Sequence, residues 1–211
     1  MGYFKLGAEI VQELKELEGK FKATSSGGQG VLSLYLDEVI PNVHRTIISK
    51  GAIYNVRPFE IERAGFKKGR QLKKMPASIK NTHIYYLDES GRILLVEIYG
   101  QSENIINKEF YSYGENYVER SYFASAGKLR NVSRLMLENG LIKKDLNWGE
   151  YGCSISDYQY SGGKLERVIV RQKEHADNSF GEFEVNFEYS GEELIKIVNV
   201  FPNGYREQRF P

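Results

Sequence analysis

Leu6, Ile10, Leu14, Leu17 and Phe21 recur at steps of four and three. That spacing puts them on one face of an amphipathic helix, with Glu9, Glu13, Lys15, Glu16 and Lys20 around the rest. The helix is expected to stop near Lys22, because Thr24-Ser25-Ser26-Gly27-Gly28-Gln29-Gly30 has the composition of a loop. Residues 31–62 read as short strands, with Thr46-Ile47-Ile48 and Ile53-Tyr54-Asn55-Val56 extended and Ser49-Lys50-Gly51 as a turn. A second helix over 31–40 is the alternative. From Arg63 to Lys80 apolar residues are few, and the stretch reads as a solvated loop or linker.

From Ile84 onward the pattern changes to aromatic or apolar strands broken by short polar turns. The turns are Asp88-Glu89-Ser90-Gly91, Gly114-Glu115-Asn116, Glu138-Asn139-Gly140, Ser161-Gly162-Gly163 and Ser190-Gly191-Glu192. Gly and Asn supply the positive φ that tight hairpin turns need. The first apolar or aromatic residues after four of these turns are Ile93, Tyr117, Leu141 and Leu165, spaced 24 apart. Ile98, Tyr122, Leu146 and Val170 keep the same interval. The last hairpin resumes at Leu194, 29 after Leu165, so about five extra residues fall near Glu174 to Ser179. One hairpin cannot bury its own face, but stacked copies can share a sheet. Phe183, Val185, Phe187 and Tyr189 alternate with Glu182, Glu184, Asn186 and Glu188, giving one apolar and one acidic face.

Tyr85-Tyr86-Leu87-Asp88-Glu89-Ser90-Gly91-Arg92-Ile93 resembles a YD repeat, the hairpin unit of RHS proteins. Tyr158 to Leu165 and Phe187 to Leu194 are similar but lack the Asp, and Tyr111-Ser112-Tyr113-Gly114 keeps less of the pattern. The resemblance covers residues 84–201. It implies an antiparallel sheet of repeated hairpins, in an array too short for the toxin-enclosing shell of RHS proteins. Short cytosolic bacterial proteins with such sheets occur as immunity partners in polymorphic-toxin systems. The resemblance therefore implies a protein partner, a toxin domain, at the level of fold analogy.

Composition narrows the class. The chain has 211 residues and is 41% hydrophobic, enough for a core. Its 15 Tyr and 11 Phe against 3 Met and 1 Trp favour sheets over helix bundles. Cys153 is the sole cysteine, which excludes an internal disulfide and a cysteine-rich zinc site and fits a reducing compartment. No apolar run approaches the roughly 18 residues of a membrane span. The start has no signal-peptide pattern, and Leu6 stands where a myristoylation signal needs Ser or Thr. These features place the chain in the cytoplasm, with no membrane partner.

Net charge is +1, but the charges are segregated. Arg63, Lys67, Lys68, Arg70, Lys73, Lys74 and Lys80 follow one another without an acid, and Glu174 to Glu193 holds seven acids without a Lys or Arg. Phe66 and Leu72 among the cations suit phosphate contact with stacking. Lys67, Lys68, Arg70, Lys73 and Lys74 are thus candidate nucleic-acid contacts, and Glu174, Asp177, Glu182, Glu184 and Glu188 are candidate contacts to a basic protein.

Catalytic and metal signals are thin. His44, His83 and His175 show no paired metal spacing. Glu174-His175-Ala176-Asp177 gathers an imidazole and two carboxylates, which reads as an acid–base site or as a polar loop tip. Gly27-Gly28-Gln29-Gly30 lacks the Lys-Ser/Thr of a phosphate loop, and Cys153 has no base beside it in sequence. Tyr111, Tyr113, Tyr117, Tyr122 and Phe123 read as cross-strand packing, with exposed rings a potential protein platform.

The resulting expectation is α+β: an N-terminal amphipathic helix plus a mainly antiparallel sheet of repeated hairpins. Residues 1–62 and 81–211 flank the basic linker 63–80, as separate units or packed as one. The expected function is a non-enzymatic protein-binding module, specifically an immunity protein neutralising a toxin. A nucleic-acid-associated protein is the first alternative and an enzyme of unknown type, centred on His175, the second. No cofactor or metal is expected.

Overall fold

The computed structural model describes residues 7–102 and 105–211; Leu6, the first member of the helical stripe, lies outside them. Helix α1 (Ala8–Ser26) carries the stripe, with Leu14 and Leu17 buried. It runs past Lys22, because Thr24 to Ser26 are tolerated in a last turn and the chain breaks only at Gly27, whose N–H bonds back to the Thr24 carbonyl. Helix α2 (Gln29–Val39) follows, so of the two readings of 31–40 the helical one describes the chain. Val31, Leu32, Tyr35 and Leu36 turn inward, while Leu34 faces solvent at 67% exposure.

Strands β1 (Arg45–Lys50) and β2 (Arg70–Leu72) flank a short helix α3 (Glu60–Arg63). Then come β3 (Thr82–Leu87), β4 (Ile93–Tyr99), β5 (Ile106–Tyr113), β6 (Tyr117–Phe123), β7 (Leu129–Glu138) and β8 (Leu141–Gly149). The chain ends with β9 (Gly152–Ser161), β10 (Lys164–Glu174), β11 (Gly181–Ser190), β12 (Glu193–Val200) and β13 (Arg206–Phe210). All thirteen join one antiparallel sheet in the order β13-β12-β11-β10-β9-β8-β7-β6-β5-β4-β3-β1-β2. The architecture is mainly β with helices at its N-terminal end, rather than a balanced α+β fold.

Turns lie at each of the five places marked by Gly, Asn and Ser, and the loop after Glu174 holds the extra residues. The β7–β8 turn shows why. Asn139 and Gly140 both have positive φ, 53° and 76°, which matches the twist of a two-residue hairpin. The spacing of 24 marks the hairpin unit, but equivalent positions do not share an environment. Ile93 and Leu165 are buried, whereas Tyr117 is 41% and Leu141 37% exposed. A bulge follows the turn on the return strand of the β3–β4, β7–β8, β9–β10 and β11–β12 hairpins, at Leu94, Lys143, Glu166 and Ile195, whereas β5 and β6 pair without one.

Ile53 to Val56 form no strand. Residues 51–69 instead make a strap. It leaves β1, crosses one face of the sheet and returns to β2, where the Gly69 N–H bonds to the Ala52 carbonyl at 2.6 Å. At its far point, Arg209 of β13 donates from Nε to the Arg63 carbonyl (3.0 Å) and from Nη2 to the Ala64 carbonyl (3.1 Å). Eleven strand steps separate β13 from β1, which would be about 53 Å in a flat sheet. Yet only five Cα-to-Cα steps join Ala64 to Gly69, a reach of at most about 18 Å. The sheet is therefore rolled, with the strap inside the curve. The return is tight: a Cβ on Gly69 would lie 2.4 Å from the carbonyl oxygens of Lys50 and Gly51, so only glycine fits there.

The two faces are packed differently. On the convex face α1 lies over β7 and β8, and Leu14, Leu17 and Val39 meet Leu95, Phe110, Phe123, Val132, Leu146 and Ile155. On the concave face Ile53 and Val56 of the strap join Ile47, Tyr85, Val96 and Tyr111, while Phe59 joins Val168, Val185, Phe187 and Ile197. Residues 63–80 are thus no free linker. They hold the end of α3, strand β2 and carbonyls of Ser78 and Lys80 that accept from Lys50 Nζ.

Candidate functional site

The strap carries charge into the concave face. Asn55 Oδ1 accepts from the Ile61 N–H at 2.8 Å and fixes the start of α3. Phe59 adopts a left-handed conformation (φ 54°, ψ 34°), rare for a bulky residue, and its ring rests 5.6 Å from that of Phe187. Between these anchors Arg57 points into the sheet. Its Nε donates to Asp145 Oδ2 (2.6 Å), Nη2 to Asp145 Oδ1 (3.3 Å) and Ser133 Oγ (2.9 Å), and Nη1 to Glu60 Oε1 (3.0 Å). Glu60 also lies 3.7 Å from Arg120 Nη1, which donates to Glu109 Oε1 at 3.1 Å. Glu109 in turn accepts from the buried Tyr111 hydroxyl at 2.7 Å.

Burial works against the charges of Arg57 and Glu60, and pairing outweighs it. Burial alone would lower the Arg57 pKa, but Asp145 and Glu60 hold it well above its usual value. Burial would raise Glu60, but Arg57 and Arg120 keep its carboxyl below the ordinary range. Burial, with Glu109 adding to it, pushes the Tyr111 phenol well up, so it stays a neutral donor. His83, nearby on β3, is held below its usual value by burial, and its Nδ1 has no hydrogen-bond partner.

Beside this network lies a cleft of about 420 Å³, lined by Arg57, Glu60, Arg63 and Arg120 together with Asn131, Asn147, Ser154 and Phe183. Sequence reasoning missed it. Arg57, Glu60 and Asp145 lie 88 and 85 positions apart along the chain (145 − 57 and 145 − 60), and no local pattern joins them. The usable signal was Asp145, the lone acid of β8.

The acidic positions behave otherwise than their sequence neighbourhood implies. Glu182, Glu184 and Glu188 do share one face of β11, the convex one. Cations from adjacent strands pair with them: Arg171 with Glu182 (2.7 Å), Arg167 with Glu184 (3.2 Å) and Lys196 with Glu188 (3.2 Å). The segment Glu174 to Glu193 holds no Lys or Arg of its own, but the sheet brings neutralising cations to it from neighbouring strands. Glu174 at the end of β10 and Asp177 in the loop after it are exposed, and Asp177 Oδ2 accepts from the Glu174 N–H at 3.1 Å.

The basic positions are the opposite case. Lys67, Lys68, Arg70, Lys73 and Lys74 are all exposed and, among the described residues, make no ion pair. They line the β2 edge, whose sole strand partner is β1. Phe66 beside them is 71% exposed and Met75 38%.

The remaining candidates are engaged elsewhere. His175 Nε2 lies 2.9 Å from the Gly149 carbonyl, to which it donates, and the ring packs on Trp148 at 4.9 Å. Cys153 is buried in the convex core, and burial pushes its thiol up, away from the reactive thiolate. Gly27 and Gly28 form the turn between α1 and α2. Of the aromatic series, Tyr111 and Phe123 are buried and Tyr113 donates to the Ile93 carbonyl at 2.9 Å, leaving Tyr117 as the exposed ring. Among the described residues no group of three or more His, Cys, Asp or Glu could hold a metal ion, and no helix is long and apolar enough to cross a membrane. Neither a family model nor a curated protein matches the chain.

Proposed function

We propose that this chain is a non-enzymatic binding protein that holds single-stranded nucleic acid on the ribbon from Phe66 to Lys74. The observation that supports this is that five clustered cations make no ion pair among the described residues, whereas Arg57 on the concave face and Glu182, Glu184 and Glu188 on β11 are all paired. Like charges held this close repel one another, and a polyanion relieves that repulsion while releasing its own counterions. The exposed ring of Phe66 among them offers a face on which an unpaired base can stack. Lysines on an edge strand also deter pairing with other sheets, so the ribbon protects the edge while it binds.

Fluorescence anisotropy of a short labelled RNA or DNA strand tests the reading. Changing Lys67, Lys68, Arg70, Lys73 and Lys74 to Gln is expected to abolish binding. Phe66→Ser should weaken binding to single strands by roughly 1–3 kcal/mol and leave duplex binding nearly unchanged. Equal binding by wild type and the five-Gln protein would refute it.

A protein partner on the acidic strip is the second reading, with an immunity role against a bacterial toxin in the cytoplasm as its specific form. It is favoured by Glu174 and Asp177, which make no ion pair among the described residues, and by the partial exposure of the paired Glu182, Glu184 and Glu188 side chains at 46%, 37% and 45%. Changing those three to Gln should weaken capture of a basic nuclease-type toxin. Unchanged affinity for such a partner would remove this surface from consideration.

A further inference from the structure

Neither reading uses the concave cleft, whose lining sets donors of Arg63 and Arg120 and neutral polar groups beside the carboxylates of Glu60 and Asp145, which Arg57 already engages. Arg63 half-buries its guanidinium there. Nη1 donates to the Tyr158 hydroxyl at 3.1 Å, and no carboxylate pairs with it among the described residues. Arg120 keeps Nη1 on Glu109 but has a buried Nε–H with no acceptor. A buried, unsatisfied guanidinium N–H is costly, and an anionic oxygen is the acceptor that relieves it best. Next to these donors the sheet presents Asn147 on β8 directly opposite Ser154 on β9. Asn131 adds a second amide. Amides and hydroxyls both donate and accept, which matches the dual character of sugar hydroxyls. Phe183 supplies an apolar wall for C–H groups.

We propose that this cleft binds a small polyhydroxylated anion, a sugar phosphate or a sugar acid. Its anionic group meets Arg63 and Arg120, and its hydroxyls meet Asn131, Asn147 and Ser154. The volume of about 420 Å³ suits a ligand of that size. Asn147 and Ser154 also line a second space of about 400 Å³, with Tyr151, Lys173, Glu174 and Asp177.

Isothermal titration of the full chain with glucose 6-phosphate, glucuronate, glucose and inorganic phosphate tests this. Glucose 6-phosphate or glucuronate is expected to bind at least about tenfold more tightly than glucose or phosphate, since both halves of the site contribute. Binding of the first alone identifies a phosphate as the anion, and of the second alone a carboxylate. Arg63→Gln and Asn147→Leu should each cost about tenfold or more, with the denaturation midpoint tracked to separate loss of contact from loss of fold. No heat with either sugar anion at millimolar concentration would overturn the proposal. So would phosphate matching glucose 6-phosphate, or full affinity in a folded Arg63→Gln protein.

Discussion

Arg57 and Lys67 stand ten positions apart on one strap, yet their charges serve opposite ends. Arg57 is buried, and each of its guanidinium nitrogens has an acceptor. Lys67 and the cations after it are exposed and, among the described residues, unmatched. The difference follows from where the strap lies. Inside the rolled sheet a fully buried charge without a partner is costly, and Arg57 is matched within the chain. At the β2 edge water solvates each cation, so the chain can leave them for a partner. Charge near the centre of the strap is paired within the fold, and charge at its end is exposed and makes no ion pair among the described residues.

Removing Arg57 should break the first half of that contrast most severely. Arg57→Ala leaves Asp145 buried without its cation, and a loss of about 3–5 kcal/mol is expected. Denaturant unfolding measures it. Arg57→Met combined with Asp145→Leu replaces the pair by apolar groups and should recover most of the loss. If the double change is as damaging as the single, the pair does more than balance charge.

Acid should sharpen the contrast next. Glu60 on the concave face and Glu119 on the convex face, the latter held by Lys20 and Arg134 against burial, have carboxyls below the usual 4.5 in the fold. Their contribution is complete above about pH 4.5 and is lost as pH falls through their lowered values. His83 acts earlier. Burial lowers its pKa, so the unfolded histidine takes a proton first as pH drops below its usual 6.5, and stability declines from there. His83→Gln should flatten the fall in unfolding midpoint between pH 7 and 5 and leave the fall below 4.5 intact. The same slope in both proteins would show that His83 does not titrate against folding.

The smallest effect is expected on the convex face. Glu182, Glu184 and Glu188 are part-exposed partners in cross-strand pairs, and changing them to Gln should cost under about 1 kcal/mol each. A larger loss, read by thermal unfolding in moderate salt, would mean the strip is a stabilising network.

How much of this was legible in the sequence depends on the range of the interaction. Turns are local, so Asn139-Gly140 and its counterparts declare themselves by the φ values they need. Helix α1 is local too, and only its end was misjudged, because Thr24 to Ser26 are poor helix formers without being breakers. The helix over Gln29–Val39 stayed ambiguous because Val31 to Leu36 is a short apolar run that suits either element. Charge pairing is not local. Arg167, Arg171 and Lys196 flank the acidic strand only once β10 and β12 lie beside it. The Arg57–Asp145 pair and the cleft exist only because the sheet rolls and the strap crosses it. The basic run was legible as a cluster of cations, since its residues are neighbours in sequence.

The direct measurement of the central claim is the salt dependence of RNA binding. If the five ribbon cations contact phosphates, log affinity should fall linearly with log salt with a slope of about −3.5 for a single strand. Between 50 and 200 mM salt that is a loss of roughly 100-fold. The five-Gln protein should show no measurable binding. A flat response to salt, or a slope that survives loss of the ribbon charges, would contradict the account.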